Sequence, residues 1–134
     1  MNVDSILLSD YAQLDSGGKL TVVGVFNHIA RDMAPVSHPQ MALSVVVHGH
    51  SEEAGTRHTL EIRLLNQRRE LVTPEPITAE FALPGASPPG LPLRNVTVLN
   101  VMQPVFPELG AYAFEIYIDG TYHAGVALYV GPKG

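Results

Sequence analysis

The stretch Leu7–Phe26 reads LLSDYAQLDSGGKLTVVGVF. On either side of Gly17-Gly18 apolar residues fall on alternate positions, the pattern of two half-buried antiparallel strands joined by a tight turn. One residue interrupts it: Asp10 shares its parity with Leu8, Ala12 and Leu14. Pairing the arms sets Leu14 opposite Leu20, Ala12 opposite Val22, Asp10 opposite Gly24 and Leu8 opposite Phe26. A carboxylate facing a core must be hydrogen-bonded, because an unpaired buried charge is strongly unfavourable. Gly24, with no side chain, leaves room and exposed backbone across from it. Asp10 and Gly24 are therefore expected to be structural, with Asp10 accepting backbone N–H bonds. The alternative, a ligand-binding or catalytic carboxylate, has no second acid or histidine beside it in the sequence.

Period-two alternation continues outward from this hairpin. Strands are predicted over 41–50, 58–66, 77–83, 95–102, 111–118 and 121–130. Pro74 and Pro76 exclude an earlier start for the third of these. In the closing hairpin Tyr112, Phe114, Ile116, Tyr122, Ala124, Val126 and Leu128 are expected to face inward. An odd-length loop with Gly120 as a left-handed bulge then pairs Ile116 with Tyr122 and Phe114 with Ala124. Residues 27–34 have room for a turn or two of helix before Pro35 and Pro39, and 84–92 (PGASPPGLP) reads as a loop. The expected fold is a single-domain antiparallel β-sandwich of about eight strands spanning 1–134, all-β and immunoglobulin-like.

Composition agrees with that architecture. The 134 residues are 46% hydrophobic and 16% charged, enough to build one core, and eleven prolines with twelve glycines suit short strands joined by turns. Without cysteine neither a disulfide nor a thiolate metal site is available. A net charge of −5 with eight Lys and Arg argues against a protein that neutralises nucleic-acid phosphates, and the basic run 63–69 reads as a solvated strand end. The start has no basic region and too short an apolar run for a signal peptide, and no window is long enough to span a membrane. A cytoplasmic location is expected, with neither nucleic acid nor membrane as partner.

The stretch 108–114, ELGAYAF, resembles the tyrosine corner of immunoglobulin-like domains. In that resemblance Tyr112 is the corner residue, its hydroxyl bonding upstream backbone, and Phe114 replaces a cysteine. Three blocks together, LLSDYAQLDSGGKLTVVGVF, HPQMALSVVV leading to HTLEIRLLNQ, and FPELGAYAFEIYIDG, look like a family of small uncharacterised bacterial β-sandwich proteins. Asp10 and Gly24 fall on that family's motif, an acidic residue in the first strand and a glycine before an aromatic in the second. The resemblance implies the fold and a bacterial origin, and no activity.

Chemistry-bearing constellations are sparse. His48 and His50 lie at i and i+2 on one strand, followed by Glu52 and Glu53, and so present two imidazoles to one side. A third metal ligand would have to come from His58, His123 or a glutamate. The pair is read as solvated, with no metal and no cofactor expected. There is no Gly-x-Ser-x-Gly elbow and no phosphate-cradling loop before a helix, so the chain is not expected to be an enzyme. What remains is an apolar exterior. Val23, Val25, Tyr117 and Tyr129 fall on outward parities, and strand 95–102 is apolar on both faces, with Val96, Val98 and Met102 on one of them. Such a face is covered either by the chain's own segments 27–40 or 84–92 or by a partner, of which a second copy is the simplest. The expectation is a non-catalytic protein-interaction or self-assembly module, a homo-oligomer. The alternative is a small-ligand or metal-binding β-sandwich that uses the His48/His50 strand end or polar loops.

Overall fold

Eight strands of six or more residues arise from the alternating segments: β1 (Asn2–Leu14), β2 (Leu20–Val25), β5 (Gln40–Gly49), β6 (Arg57–Leu65), β7 (Ile77–Ala82), β8 (Leu93–Met102), β10 (Gly110–Ile118) and β11 (Thr121–Gly131). Three short ones complete the set: β3 (His28–Ala30), β4 (Val36–Ser37) and β9 (Val105–Phe106). The computed structural model describes residues 1–133. Its strands form three sheets, ordered β2-β1-β5-β8, β3-β11-β10-β6-β7 and β4-β9. Residues 27–34 hold β3, paired in parallel with β11 (Tyr129 beside His28), in place of the expected helical turn. A parallel partner supplies hydrogen bonds that an isolated helical turn lacks.

The two large sheets share one core. Leu8 of β1, Met41, Leu43, Val45 and Val47 of β5, and Leu93 and Val101 of β8 meet Leu60, Ile62 and Leu64 of β6. Phe114 and Ile116 of β10 and Leu128 and Val130 of β11 complete it. Full burial of each such side chain contributes about 1.5–3 kcal/mol. Tyr112 lies in the same core, and its hydroxyl donates to the Glu108 carbonyl at 2.6 Å, the upstream backbone bond expected of a corner tyrosine.

The closing hairpin departs from the expected register. Asp119 and Gly120 have φ of 51° and 84° and form a tight two-residue turn, with Ile118 paired to Thr121 and Tyr117 to Tyr122. The odd residue sits further down. His123 is bulged, so that Ile116 meets Ala124 and Phe114 meets Val126, not Tyr122 and Ala124. Tyr122 consequently points outward, against the expectation, and rests edge-on against Tyr117 at 5.6 Å.

The opening hairpin keeps the expected pairs, Leu14 with Leu20 and Ala12 with Val22. Its course was not expected. β1 stays beside β5 only as far as Ser9, opposite Ala42. Beyond it the hairpin curls back over the outer face of β5 and β8, and one sheet becomes a half-barrel. The Arg94 guanidinium donates to the Gly18 carbonyl at 3.1 Å, joining the hairpin tip to the far end of β8. β1 also touches β8, although β5 lies between them in the sheet. Under this roof Ala42, Ser44 and Val46 are buried on the side of β5 opposite the main core. The roof's own buried and half-buried residues, Ala12, Leu20 and Val22, lie outside the main core and supply its underside.

The bend accounts for Asp10. Leu8 and Ala12 are buried on either side of it, but Asp10 is exposed and has no hydrogen bond among the described residues. The expectation of a buried, backbone-bonded carboxylate is corrected: Asp10 marks the corner where the strand leaves one layer for another. Gly24 lies across from it at φ 70°, a left-handed value that only glycine adopts without strain, and a Cβ there would collide with the Asp10 carboxylate.

Candidate interaction surface

The roof has two sides. Its underside covers β5 and β8, so Val96 and Val98 are half-buried beneath the opening hairpin, while loop 84–92 lies beside His48 and Arg94 at one end of the same face. Its upper side faces water. There Tyr11 stands opposite Val23, and Gln13 opposite Thr21, with Val25 next along β2. Tyr11, Val23 and Val25 are 48%, 55% and 59% exposed. The Tyr11 hydroxyl donates to the Gln13 amide oxygen at 3.1 Å; these five side chains are uncharged, and the next pair of the same parity, Asp15 and Lys19 at the hairpin tip, carries one charge of each sign. Beside Val25 the surface continues into a shallow groove lined by Ile6, Leu7, Phe26 and Val126. Among the described residues β2 pairs only with β1, so its other edge carries backbone donors and acceptors outside the ladder.

The two outward tyrosines lie elsewhere. Tyr129 is exposed on the far sheet, 5.3 Å from the His28 ring and lying over Gly131, whose hydrogen in place of a side chain makes room for it. Tyr117 is half-buried and engaged. Its hydroxyl donates to Glu115 at 2.8 Å, its ring carries the Arg63 guanidinium at 4.0 Å, and Arg63 pairs with Glu61. Glu115, buried, accepts from Arg69 at 2.9 Å, and that bond holds its carboxyl below the usual range. Arg68 likewise pairs with Glu70 and Glu108. The basic run is thus solvated, as expected, with Arg63, Arg68 and Arg69 each paired to a carboxylate. The four residues read as one outward set fall into two groups: Val23 and Val25 on the roof, Tyr117 and Tyr129 on the other sheet.

The histidines separate too. His48, on the outer side of β5, has Nδ1 3.7 Å from Asp4, while His50 is exposed beyond the end of the strand. Among the described residues no group of three His, Cys, Asp or Glu gathers in metal-binding geometry. His58 is instead fixed by the closing hairpin: Nδ1 lies 2.6 Å from Asp119, Nε2 2.7 Å from the Thr56 hydroxyl, and the ring packs on Phe81. The His58 hydrogen bond, with that from the Thr59 N–H, holds the Asp119 carboxyl below its ordinary value. This line of Thr, His and Asp escaped sequence reading because 61 residues separate His58 from Asp119. It resembles a proton relay, but the Thr56 hydroxyl also contacts the Glu53 carbonyl at 2.6 Å. Its geometry serves to clamp the closing turn onto the start of β6.

Fold and surface together define an all-β protein whose opening hairpin roofs one of its own sheets and presents a partly apolar side without net charge to solvent. Residues 4–131 match the profile of a family of unknown function, DUF6941, and the chain belongs to that family. No curated protein matches it. Among the described residues no helix is long and apolar enough to cross a membrane.

Proposed function

We propose that the chain is a non-catalytic, self-assembling β module of the cytoplasm, in which the roof of one copy meets the roof of a second. The observation that carries this reading is the exposure of Val23 and Val25 beside Tyr11 on a side without net charge, where Asp15 and Lys19 at the hairpin tip offset one another. A chain of net charge −5 repels its copies over most of its surface, and a side without net charge is where two of them approach at least cost. Apolar side chains set in a patch without net charge favour association over solvation, and the outer β2 edge supplies backbone groups that a two-fold partner satisfies. The Tyr112–Glu108 bond supports reading the two large sheets as an immunoglobulin-like sandwich, with the curled hairpin as its addition.

Light scattering on the eluted protein tests this. A dimer or larger species is expected at micromolar concentrations, and V23K/V25K is expected to give a folded monomer whose melting temperature, unlike that of the native chain, does not depend on protein concentration. A monomeric native chain overturns the proposal. So does a double variant that stays dimeric.

A further inference from the structure

At the pole where the roof's tip comes down, three segments far apart in sequence enclose a cleft of about 570 Å³. Gly17 closes it from the hairpin and His48 and Arg94 form its floor, while Pro84, Pro88, Leu91 and Pro92 of the loop between β7 and β8 make an apolar wall. We infer that this cleft binds a small organic carboxylate, with the acid group on Arg94 and the apolar body against the prolines and Leu91.

Three features carry the assignment. The volume falls within the usual range for small-molecule sites, and a mostly apolar lining with few polar groups is what such sites share. Arg94 is a positioned cation. One of its N–H groups is held by the Gly18 carbonyl, and among the described residues no carboxylate lies within ion-pair distance, unlike Arg63, Arg68 and Arg69. A guanidinium has five N–H donors, so a planar fork remains for a carboxylate. His48 is the residue directly across from Arg94 in the β5–β8 ladder and lines the same cleft, its Nδ1 3.7 Å from Asp4.

The wall is built before any ligand arrives. The Leu91 N–H donates to the Pro88 carbonyl at 3.1 Å, the Ser87 hydroxyl to the Leu91 carbonyl at 2.8 Å, and the Gly55 N–H to the Pro84 carbonyl at 3.1 Å. Proline rings fix φ besides, so binding orders little of the loop and loses little entropy doing so. Arg94 alone sets the charge preference; the wall sets the need for an apolar body.

Amide NMR of the full chain tests the inference with phenylacetate, phenylacetamide and acetate as probes. Phenylacetate is expected to give saturable shifts at Gly17, Gly18, Ser87, Leu91 and Arg94. The neutral amide, which cannot form the charge-assisted bonds, is expected to bind about tenfold more weakly, and acetate, lacking the ring, more weakly than phenylacetate. R94Q is expected to remove the preference for the acid over the amide. L91A leaves Arg94 and its bond to Gly18 in place and is expected to weaken both aromatic probes alike. Equal binding of acid and amide to the native chain, a preference that survives in R94Q, indifference to L91A, or shifts scattered away from the cleft would each overturn it.

Discussion

Gly24 and Ser44 show what the curl requires of single residues. At Gly24 two constraints coincide, a φ of 70° and the Asp10 carboxylate lying where a Cβ would go. An L-residue held in the left-handed region costs about 1–2 kcal/mol. G24A is therefore expected to destabilise the chain by about 2 kcal/mol in urea unfolding. The D10A/G24A pair separates the causes, because it relieves the collision and keeps the backbone strain. We expect it to recover part of the loss, and full recovery would show that the strain contributes nothing. Ser44 is the converse case, a fully buried residue whose hydroxyl has no hydrogen-bond partner among the described residues. A serine was tolerable on an outer sheet face that sees water; the roof closed over it. An unsatisfied buried hydroxyl costs about 1–3 kcal/mol, so S44A is expected to stabilise by about 1 kcal/mol. A drop in stability would show that the hydroxyl has found a partner.

Among the elements, the hairpins show how far alternation can be read. It fixes the parity of each strand and the net offset between arms, and the opening pairs Leu14–Leu20 and Ala12–Val22 follow from it. Offset alone does not say where an odd residue sits. Both a long loop and a tight turn with a bulge restore parity in the closing hairpin, and Asp119-Gly120, a strong two-residue turn signal, selects the second. The deletion of His123 is accordingly expected to leave Ile116 opposite Ala124 and the core intact, whereas deletion of Ala124 brings His123 into the inward row and destabilises the fold. Comparable melting temperatures for the two deletions would place the odd residue elsewhere. Side-chain contacts from β6 and the loop after it to the closing hairpin were illegible for another reason. Both Arg69–Glu115 and His58–Asp119 join residues that only strand order brings together. Arg69's bond depresses the Glu115 carboxyl, so its contribution is present above the unfolded value of 4.5 and lost as pH falls through the lower folded value. E115Q is expected to unfold with a shallower dependence on pH below about 4.5 than the native chain; an unchanged slope would remove Glu115 from the acid response.

For the whole molecule the consequence is a two-tier stability. The main core is apolar and joins both large sheets, and its strands are expected to exchange their amides only by global unfolding. The roof rests on a smaller apolar contact, in which Leu14 stays largely exposed and Leu20 and Val22 are half-buried, and among the described residues its outer strand pairs with one neighbour only. Few buried contacts and a free edge are the conditions for local opening at less than the global free energy. Amides of residues 11–25 are therefore expected to exchange through an opening that leaves β5, β6 and β10 protected. The same measurement reads assembly. A second copy that docks on Tyr11, Val23 and Val25 binds only the closed roof, so by mass action it makes opening rarer as protein concentration rises. Protection of residues 21–25 is expected to increase with concentration in the native chain and to be independent of it in V23K/V25K. Protection that matches β5 at every concentration would instead make the roof part of the cooperative core, and would remove the free closed-to-open step on which assembly acts.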